Sequence, residues 1–202
     1  NDLLWKMHAR TRQSPGSIIH KAIGGIENAL WDIKAKSLDV PVYDLFGGLI
    51  RNEVPLYWSH CATTRVRAYE ITKTSRIKNI SDSNKFGQEI RDSGFKAIKS
   101  NIAILDNDPY VYMPGFYKSK EGPALNADKQ LLHHLDFWVN GLRDAVGDDI
   151  EIAIDLNFNF KTEGYIKVAN TLEKYDLMWL EIDSYDPHAL RFIREQIKTP
   201  IT

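Results

Sequence analysis

Two short apolar runs that each end in an acid constrain this chain more than any other feature. Ile150-Glu-Ile-Ala-Ile-Asp155-Leu-Asn157 and Leu177-Met-Trp-Leu-Glu181-Ile-Asp183 both read as buried parallel strands. Counted from Glu151 and from Leu177, each run reaches a carboxylate at its fifth residue, which gives Asp155 and Glu181 equivalent places. They are 26 residues apart, the length of a strand, a crossover helix and a return. A right-handed βαβ connection sets such strands parallel and side by side. Two acids then converge at the carboxyl ends of neighbouring strands, where α/β folds build their sites and paired carboxylates hold divalent cations.

The rest of the chain repeats the strand and helix alternation. Apolar residues from Ile19 to Ile33 keep a 3.6-residue stripe, so a packed helix is expected from Ser17, with Ser17 as its cap and Gly24-Gly25 allowing close helix approach. The polar, basic stretch before it, Asn1 to Gly16, reads as a loop. Val40 to Phe46 is a short helical turn closed by Gly47-Gly48, and Val54 to Ser59 is the first candidate strand, with its proline near the start. Between Thr63 and Asp92 only a helix ending near Ser93-Gly94 is legible. Phe95 to Ile102 is the next strand, and alternation puts Ala97, Lys99 and Asn101 on one face.

Asp106 to Asn126 reads as a long connection of the kind that serves as a lid or binding loop. Leu131, Leu135, Trp138, Leu142 and Ala145 mark an amphipathic helix that Gly147 stops. Asp186-Pro187 is an N-cap with proline at the first helical position, and Leu190, Ile193 and Ile197 form the buried face of that helix. Pro200 opens a further strand. This regular succession predicts an α/β fold, a parallel sheet or a (β/α) barrel.

Composition narrows the partners. With 202 residues, 43% apolar, the chain can bury a core. A net charge of -1 without a long like-charge block gives no electrostatic case for nucleic acid or a membrane surface, which leaves a small molecule as the default ligand. The single cysteine, Cys61, excludes an internal disulfide and suits a reducing compartment. No apolar run nears the roughly 20 residues of a membrane span, and no leader pattern opens the chain, so a cytoplasmic location is expected.

On the inward faces of three successive strands the pattern collects Lys99 and Asn101, then Asp155 and Asn157, then Glu181 and Asp183. A lone acid at a strand end is usually a cap or a loop residue. Three strands carrying charge at one level are costly to bury unless the groups are paired or hold a metal, which favours a site. His60, at the end of the first strand beside Tyr57 and Trp58, is a further candidate for substrate contact. His133-His134 is a solvated helix face, because adjacent helical residues do not point together.

At this point the chain resembles the enolase superfamily, in its mandelate racemase / muconate lactonizing enzyme branch and close to the sugar-acid dehydratases. The residues that carry the resemblance are Gly24-Gly-Ile-Glu-Asn-Ala-Leu-Trp-Asp-Ile-Lys-Ala-Lys36, Val42-Tyr-Asp-Leu-Phe-Gly-Gly48, Gly94-Phe-Lys-Ala-Ile-Lys99-Ser-Asn101, Ile154-Asp155-Leu-Asn157 and Trp179-Leu-Glu181. The resemblance implies a TIM-like barrel under an α+β capping domain, with residues 1–52 as the end of the cap and residues 53–202 as the first four to five strands of the barrel. On that reading the chain is a fragment, inactive by itself. It implies a magnesium ion held by Asp155, Glu181 and a third acid beyond Thr202.

The implied reaction removes the proton α to a carboxylate, and magnesium accepts the charge that develops there. Superfamily sites are an established instance of a Lys or His base working beside magnesium. The family's Lys-x-Lys is Lys99-Ser-Asn101 here, and its Asp-x-His is Asp155-Leu-Asn157, so both usual bases are replaced. Lys99 remains as the catalytic candidate, either as base, its pKa lowered by a nearby cation, or as electrostatic partner of the substrate carboxylate. His60, Asn101 and Asn157 are expected to bind substrate hydroxyls. The expected function is therefore a magnesium-dependent lyase that dehydrates a sugar acid, galactonate/mannonate dehydratase-like, in a homo-oligomer. The rivals are a racemase or cycloisomerase, and a non-catalytic relative that keeps the ion and the carboxylate site.

Overall fold

The computed structural model describes residues 2–14, 16–115 and 125–202, and the chain divides into two compact units, 1–54 and 55–202. In the first unit, α1 (Asp2–Thr11) occupies the stretch expected to be a loop. Its support is local: Asp2 sits in the first turn and pairs with Lys6 at 2.6 Å, and Arg10 sits in the last turn, charges that complement the helix dipole. None of its residues is buried, which is why no apolar period announces it. The next helix, α2 (Ser17–Ser37), has Gly16 at its N-cap and no side-chain cap, so Ser17 is the first helical residue rather than the cap.

Only Ile23 and Ala35 of α2 are buried; Ile26 and Ile33, on the expected inner stripe, are exposed. Nothing lies within 4 Å of where a Cβ on Gly24 or Gly25 would stand, so the close approach expected there is not made in this unit. A 3₁₀ turn, Val42–Phe46, follows and packs Phe46 on Trp31 with ring centroids 4.8 Å apart. It ends at Gly47 and Gly48, whose φ values of 108° and 95° demand glycine.

The second unit is a four-stranded parallel sheet with helices. Its elements are β1 (Tyr57–Ser59), α3 (Cys61–Arg67), α4 (Tyr69–Thr72), α5 (Ile80–Ser93), β2 (Ala97–Asn101), β3 (Ala103–Ile104), β4 (Tyr110–Val111), α6 (Lys129–Val146), β5 (Glu151–Asp155), α7 (Thr162–Leu172), a 3₁₀ turn (Glu173–Tyr175), β6 (Trp179–Glu181) and α8 (Pro187–Gln196). The sheet runs β1-β2-β5-β6, so spatial order follows chain order, and Ile201 adds a parallel bridge to Leu180 on the far side of β6. β3 and β4 form a separate antiparallel pair inside the expected long connection. Residues 116–124 of that connection lie outside the described residues.

Register and the two-residue period sort the sheet into two faces. Ile98, Ile152, Ile154 and Leu180 are fully buried on one face. Tyr57, Lys99, Asp155, Trp179 and Glu181 share the other. β1 is shorter than expected and starts two residues after Pro55, which has no N–H to give a ladder.

The helices that flank β2 and β5 are fixed by caps and core. α5 begins with a capping box between Asn79 and Asp82 and ends at Gly94 in the left-handed region (φ 78°). The Asp128 side chain caps α6 by accepting from Leu131 N at 2.8 Å, and Leu131, Leu135, Trp138, Leu142 and Ala145 are all buried, as their spacing predicts. Asp186 caps α8 through His188 N at 2.9 Å with Pro187 at the first position; of the predicted inner stripe Ile193 is buried, while Leu190 and Ile197 are half-buried.

α3 and α4 went unread because α3 buries polar residues. Arg65 is covered by Trp58 and Phe86, its guanidinium 5.3 and 4.8 Å from their ring centroids, and it donates to Cys61 O and to Glu89. A buried arginine and Thr63 hide the apolar stripe that a helix would otherwise show. Among the described residues no helix is long and apolar enough to cross a membrane.

Candidate active site

The sheet register brings the predicted residues to one level. Asn101, Asp155 and Glu181 are direct cross-strand partners on β2, β5 and β6, and Lys99 stands one inward position earlier on β2. A strand pair places facing side chains roughly 5 Å apart, close enough for two carboxylates to share one positive charge. Here that charge is the Lys99 ammonium, with Nζ 2.6 Å from Glu181 Oε2 and 3.5 Å from Asp155 Oδ2. Lys99 and Asp155 are buried, while the Glu181 side chain keeps 30% exposure. The Tyr57 ring supports the ammonium from the side, with Nζ 5.8 Å from its centroid.

Electrostatics follow from that packing. Burial alone pulls the Lys99 ammonium down, but hydrogen bonding and charge from Glu181, with Asp155 behind it, outweigh burial and hold Lys99 above the ordinary lysine value. The upward direction follows from having two acids as neighbours. The Asp183 carboxyl moves up, first through burial and then through the negative charge of Asp155 and Glu181, with partial relief from Lys99.

The polar residues beyond the acids do not continue the strands. β5 stops at Asp155, and Asn157 sits in a left-handed turn at φ 50°, so strand alternation no longer sets its direction. Its backbone N–H donates to Asp155 Oδ1 at 2.9 Å and locks that carboxylate, while its own Nδ2 is buried without a partner among the described residues. Asn101 is engaged on both sides: Oδ1 lies 2.8 Å from His60 Nδ1 and accepts from Thr63 at 3.2 Å, and Nδ2 donates to Asp155 O at 3.4 Å. His60 is itself left-handed (φ 53°) at the N-cap of α3, a position that turns its ring toward Asn101.

A cleft of about 480 Å³ opens beside the acids, lined among others by Tyr57, Lys99, Phe158, Trp179, Glu181 and Asp183. Its aromatic walls were not foreseen, since Tyr57 and Trp179 read as ordinary strand residues. They meet edge to face at 5.4 Å. At the mouth, Phe158 and Tyr185 stack at 5.2 Å, and both are exposed. His60, Asn101 and Asn157 are not among the cleft's lining residues.

Magnesium takes hard oxygen ligands, and Asp155 and Glu181 supply them. That one ammonium already lies within reach of both carboxylates shows that they can be aimed at a single cation, so this donor set fits the ion. Among the described residues no three His, Cys, Asp or Glu side chains gather into a metal set.

The chain as a whole is similar to known proteins. Residues 85–202 match the family model for the enolase C-terminal domain-like fold, and residues 2–47 match that of the mandelate racemase / muconate lactonizing enzyme N-terminal domain. A D-galactonate dehydratase family member of Musicola paradisiaca is 31% identical over 205 residues, covering 93% of this chain and 45% of the relative. One from Enterococcus gallinarum is 29% identical over 181 residues, covering 88% and 40%. Among solved structures, a protein from Burkholderia xenovorans described as a candidate L-alanine-DL-glutamate epimerase superposes with TM-score 0.89 at 42% identity, over 97% of this chain and 50% of that one, and has also been solved with magnesium and fumarate bound. The chain thus spans about half the length of these relatives or less.

Proposed function

We propose that this chain, which belongs to the mandelate racemase / muconate lactonizing enzyme branch of the enolase superfamily, supplies part of a magnesium site for removing a proton α to a carboxylate. The observation that carries the reading is the register pair Asp155 and Glu181 with both carboxylates aimed at one cation. We read the 55–202 unit as the opening strands of a (β/α) barrel and the 1–54 unit as the end of a capping domain. Magnesium, when bound, supplies the positive charge that stabilises the carboxylate as its α-proton leaves.

The chain's own residues then divide the work. Asp155 and Glu181 hold the ion from adjacent strands, and the Asn157 N–H keeps Asp155 turned toward it. Lys99 donates to Glu181 Oε2 at 2.6 Å, and the positions of the family's usual bases hold Asn101 and Asn157. Its role is to hold charge beside the substrate carboxylate, with proton transfer falling to another group. Tyr57 and Trp179 meet edge to face in the cleft wall, and the Tyr57 ring lies beside the ammonium. Of the three residues assigned to substrate, none lines the cleft: the Asn157 amide nitrogen is buried, and His60 and Asn101 hold one another in place.

Dehydration of a sugar acid is the reaction we favour, since the curated relatives carry D-galactonate dehydratase family names. It expels hydroxide from the β-carbon after the α-proton has gone. One observation favours a second reading: the 42% identity to the candidate epimerase exceeds that to the dehydratase relatives. Epimerisation shares the proton removal and differs only in returning a proton to the other face. Incubation with each substrate class followed by product analysis separates them, through loss of water or inversion without it.

The metal reading is tested by calorimetric titration of the intact protein with magnesium. Asp155→Asn and Glu181→Gln each remove one charge that holds a reluctantly dehydrated ion, and each is expected to weaken affinity at least about tenfold. Unchanged affinity in both variants rules the assignment out.

A further inference from the structure

The ladder that aligns the two acids ends at the acids themselves. Beyond Asp155 and Glu181 the last backbone tie is Leu156 N donating to Glu181 O at 3.0 Å. One side chain spans the gap that follows: the Tyr165 hydroxyl lies 2.6 Å from Asn157 O and 3.3 Å from Asp183 O. These carbonyls belong to the residues two positions after Asp155 and two positions after Glu181. We infer that Tyr165 is a positioning residue that ties the two post-strand turns together and thereby sets how Asp155 and Glu181 face one cation.

The link from hydroxyl to carboxylate is short. Asn157 is held in a left-handed turn that costs a non-glycine residue energy, and it persists only where its surroundings fix it. Its carbonyl takes the closer contact from Tyr165, and its own N–H donates to Asp155 Oδ1 at 2.9 Å. Loosening the turn therefore frees the carboxylate. A hydroxyl has one proton, so it donates fully to Asn157 O, and the longer contact to Asp183 O is the weaker member of the pair.

Tyr165 is well placed to act as a fixed post. It stands on α7, the helix that joins β5 to β6, is buried, and packs edge to face on Phe160 at 5.5 Å. Burial pushes its pKa up to about 12, so the hydroxyl stays a donor throughout the working range. Replacing it with phenylalanine keeps the ring and removes only the tie.

This inference rests on the proposed magnesium site, and the experiment keeps the two apart. Magnesium is titrated by calorimetry into the intact protein, its Tyr165→Phe and Val168→Ala variants, and Asp155→Asn, with melting temperatures measured without the ion. Val168 is buried on the same helix but makes no loop contact of this kind, so Val168→Ala reports what loss of stability alone does to the site. Tyr165→Phe is expected to weaken magnesium binding about tenfold, as removal of an orienting contact does. Val168→Ala is expected to lower the melting temperature at least as far and leave affinity within about twofold.

Unchanged affinity in Tyr165→Phe, beside a clear loss in Asp155→Asn, overturns the positioning role while leaving the metal site standing. Equal affinity losses in Tyr165→Phe and Val168→Ala overturn it also, since the effect then tracks stability. Unchanged affinity in Asp155→Asn overturns the metal reading and this inference with it.

Discussion

The two faces of the parallel sheet are made by the same strands and obey opposite rules. On the outer face Ile98, Ile152, Ile154 and Leu180 are fully buried and carry no polar atom in their side chains. Their contribution is non-directional and follows the area removed from water. On the inner face Lys99, Asp155 and Glu181 have their charges near or below the surface, and each is tolerable only because the others are present. One strand therefore holds two codes in alternate residues: volume on one side, opposite charges set against each other on the other.

Breaking the outer face produces the largest expected effect. Ile154→Ala removes buried methyl groups beneath Asp155 and is expected to cost about 2–5 kcal/mol of stability. Denaturant unfolding of the intact protein checks it, and the loss should be the same with or without magnesium. A loss that magnesium reverses would show that the faces are not independent.

Breaking the inner face is expected to cost less and to behave differently. Lys99→Met leaves two neighbouring acids without their cation. Loss of one partner from a fully buried pair costs roughly 3–5 kcal/mol, and the partial exposure of Glu181 brings the expectation to about 1–3 kcal/mol. Because the ion can replace the missing charge, magnesium should recover most of the melting temperature. The same variant probes the chemistry: exchange of a substrate's α-proton with deuterated solvent should slow about a hundredfold or more and persist. Complete loss of exchange, with magnesium affinity intact, would make Lys99 the base.

The smallest effect sharpens the contrast from outside the sheet. On α6, burial nudges the Asp136 carboxyl up, but Lys174 Nζ and Tyr175 OH, each at 2.8 Å, outweigh it and hold Asp136 below its ordinary value of 3.8. A depressed folded pKa stabilises the fold above the unfolded value. That contribution is lost as pH falls from about 3.8 through the lower folded value. Asp136→Asn should flatten this acid limb in melting curves and leave stability between pH 5 and 8 otherwise dominated by the outer face. An unchanged acid limb would remove Asp136 from the set of groups that matter.

Legibility in the sequence follows the same division. β2, β5 and β6 were readable because they appear as short apolar runs, and the run lengths alone put Asp155 opposite Glu181. α6 was readable because five apolar residues at helical spacing all enter the core. α1 was not, since it buries nothing, and α3 was not, since Arg65 and Thr63 stand in its buried positions. Asn157 shows where pattern reading stops at the site. Alternation assigned it to the face of Asp155, but the strand ends at Asp155 and the chain enters a left-handed turn two residues on, a conformation that composition does not announce. Tyr165 does two things with one side chain, and its place in the core hides its role as a hydrogen-bond donor.

The glycines carry a consequence for how freely this sequence can drift. A methyl at Gly87 would overlap the carbonyl of Ala145, an acceptor already bonded by Arg91, and one at Gly141 would overlap the Ile80 side chain. α5 and α6 thus touch through bare backbone, and each leads straight into a strand that holds part of the charge network. Ile80 can swing its terminal methyl aside, whereas the Ala145 backbone cannot retreat without moving the helix. Gly24 and Gly25 meet no such wall in their own unit, and alanine there would gain helix propensity of up to about 1 kcal/mol each. Within their own units identical residues therefore meet different demands: Gly24 and Gly25 face no wall, and Gly87 is a gauge block whose thickness decides where Lys99 and Asp155 stand.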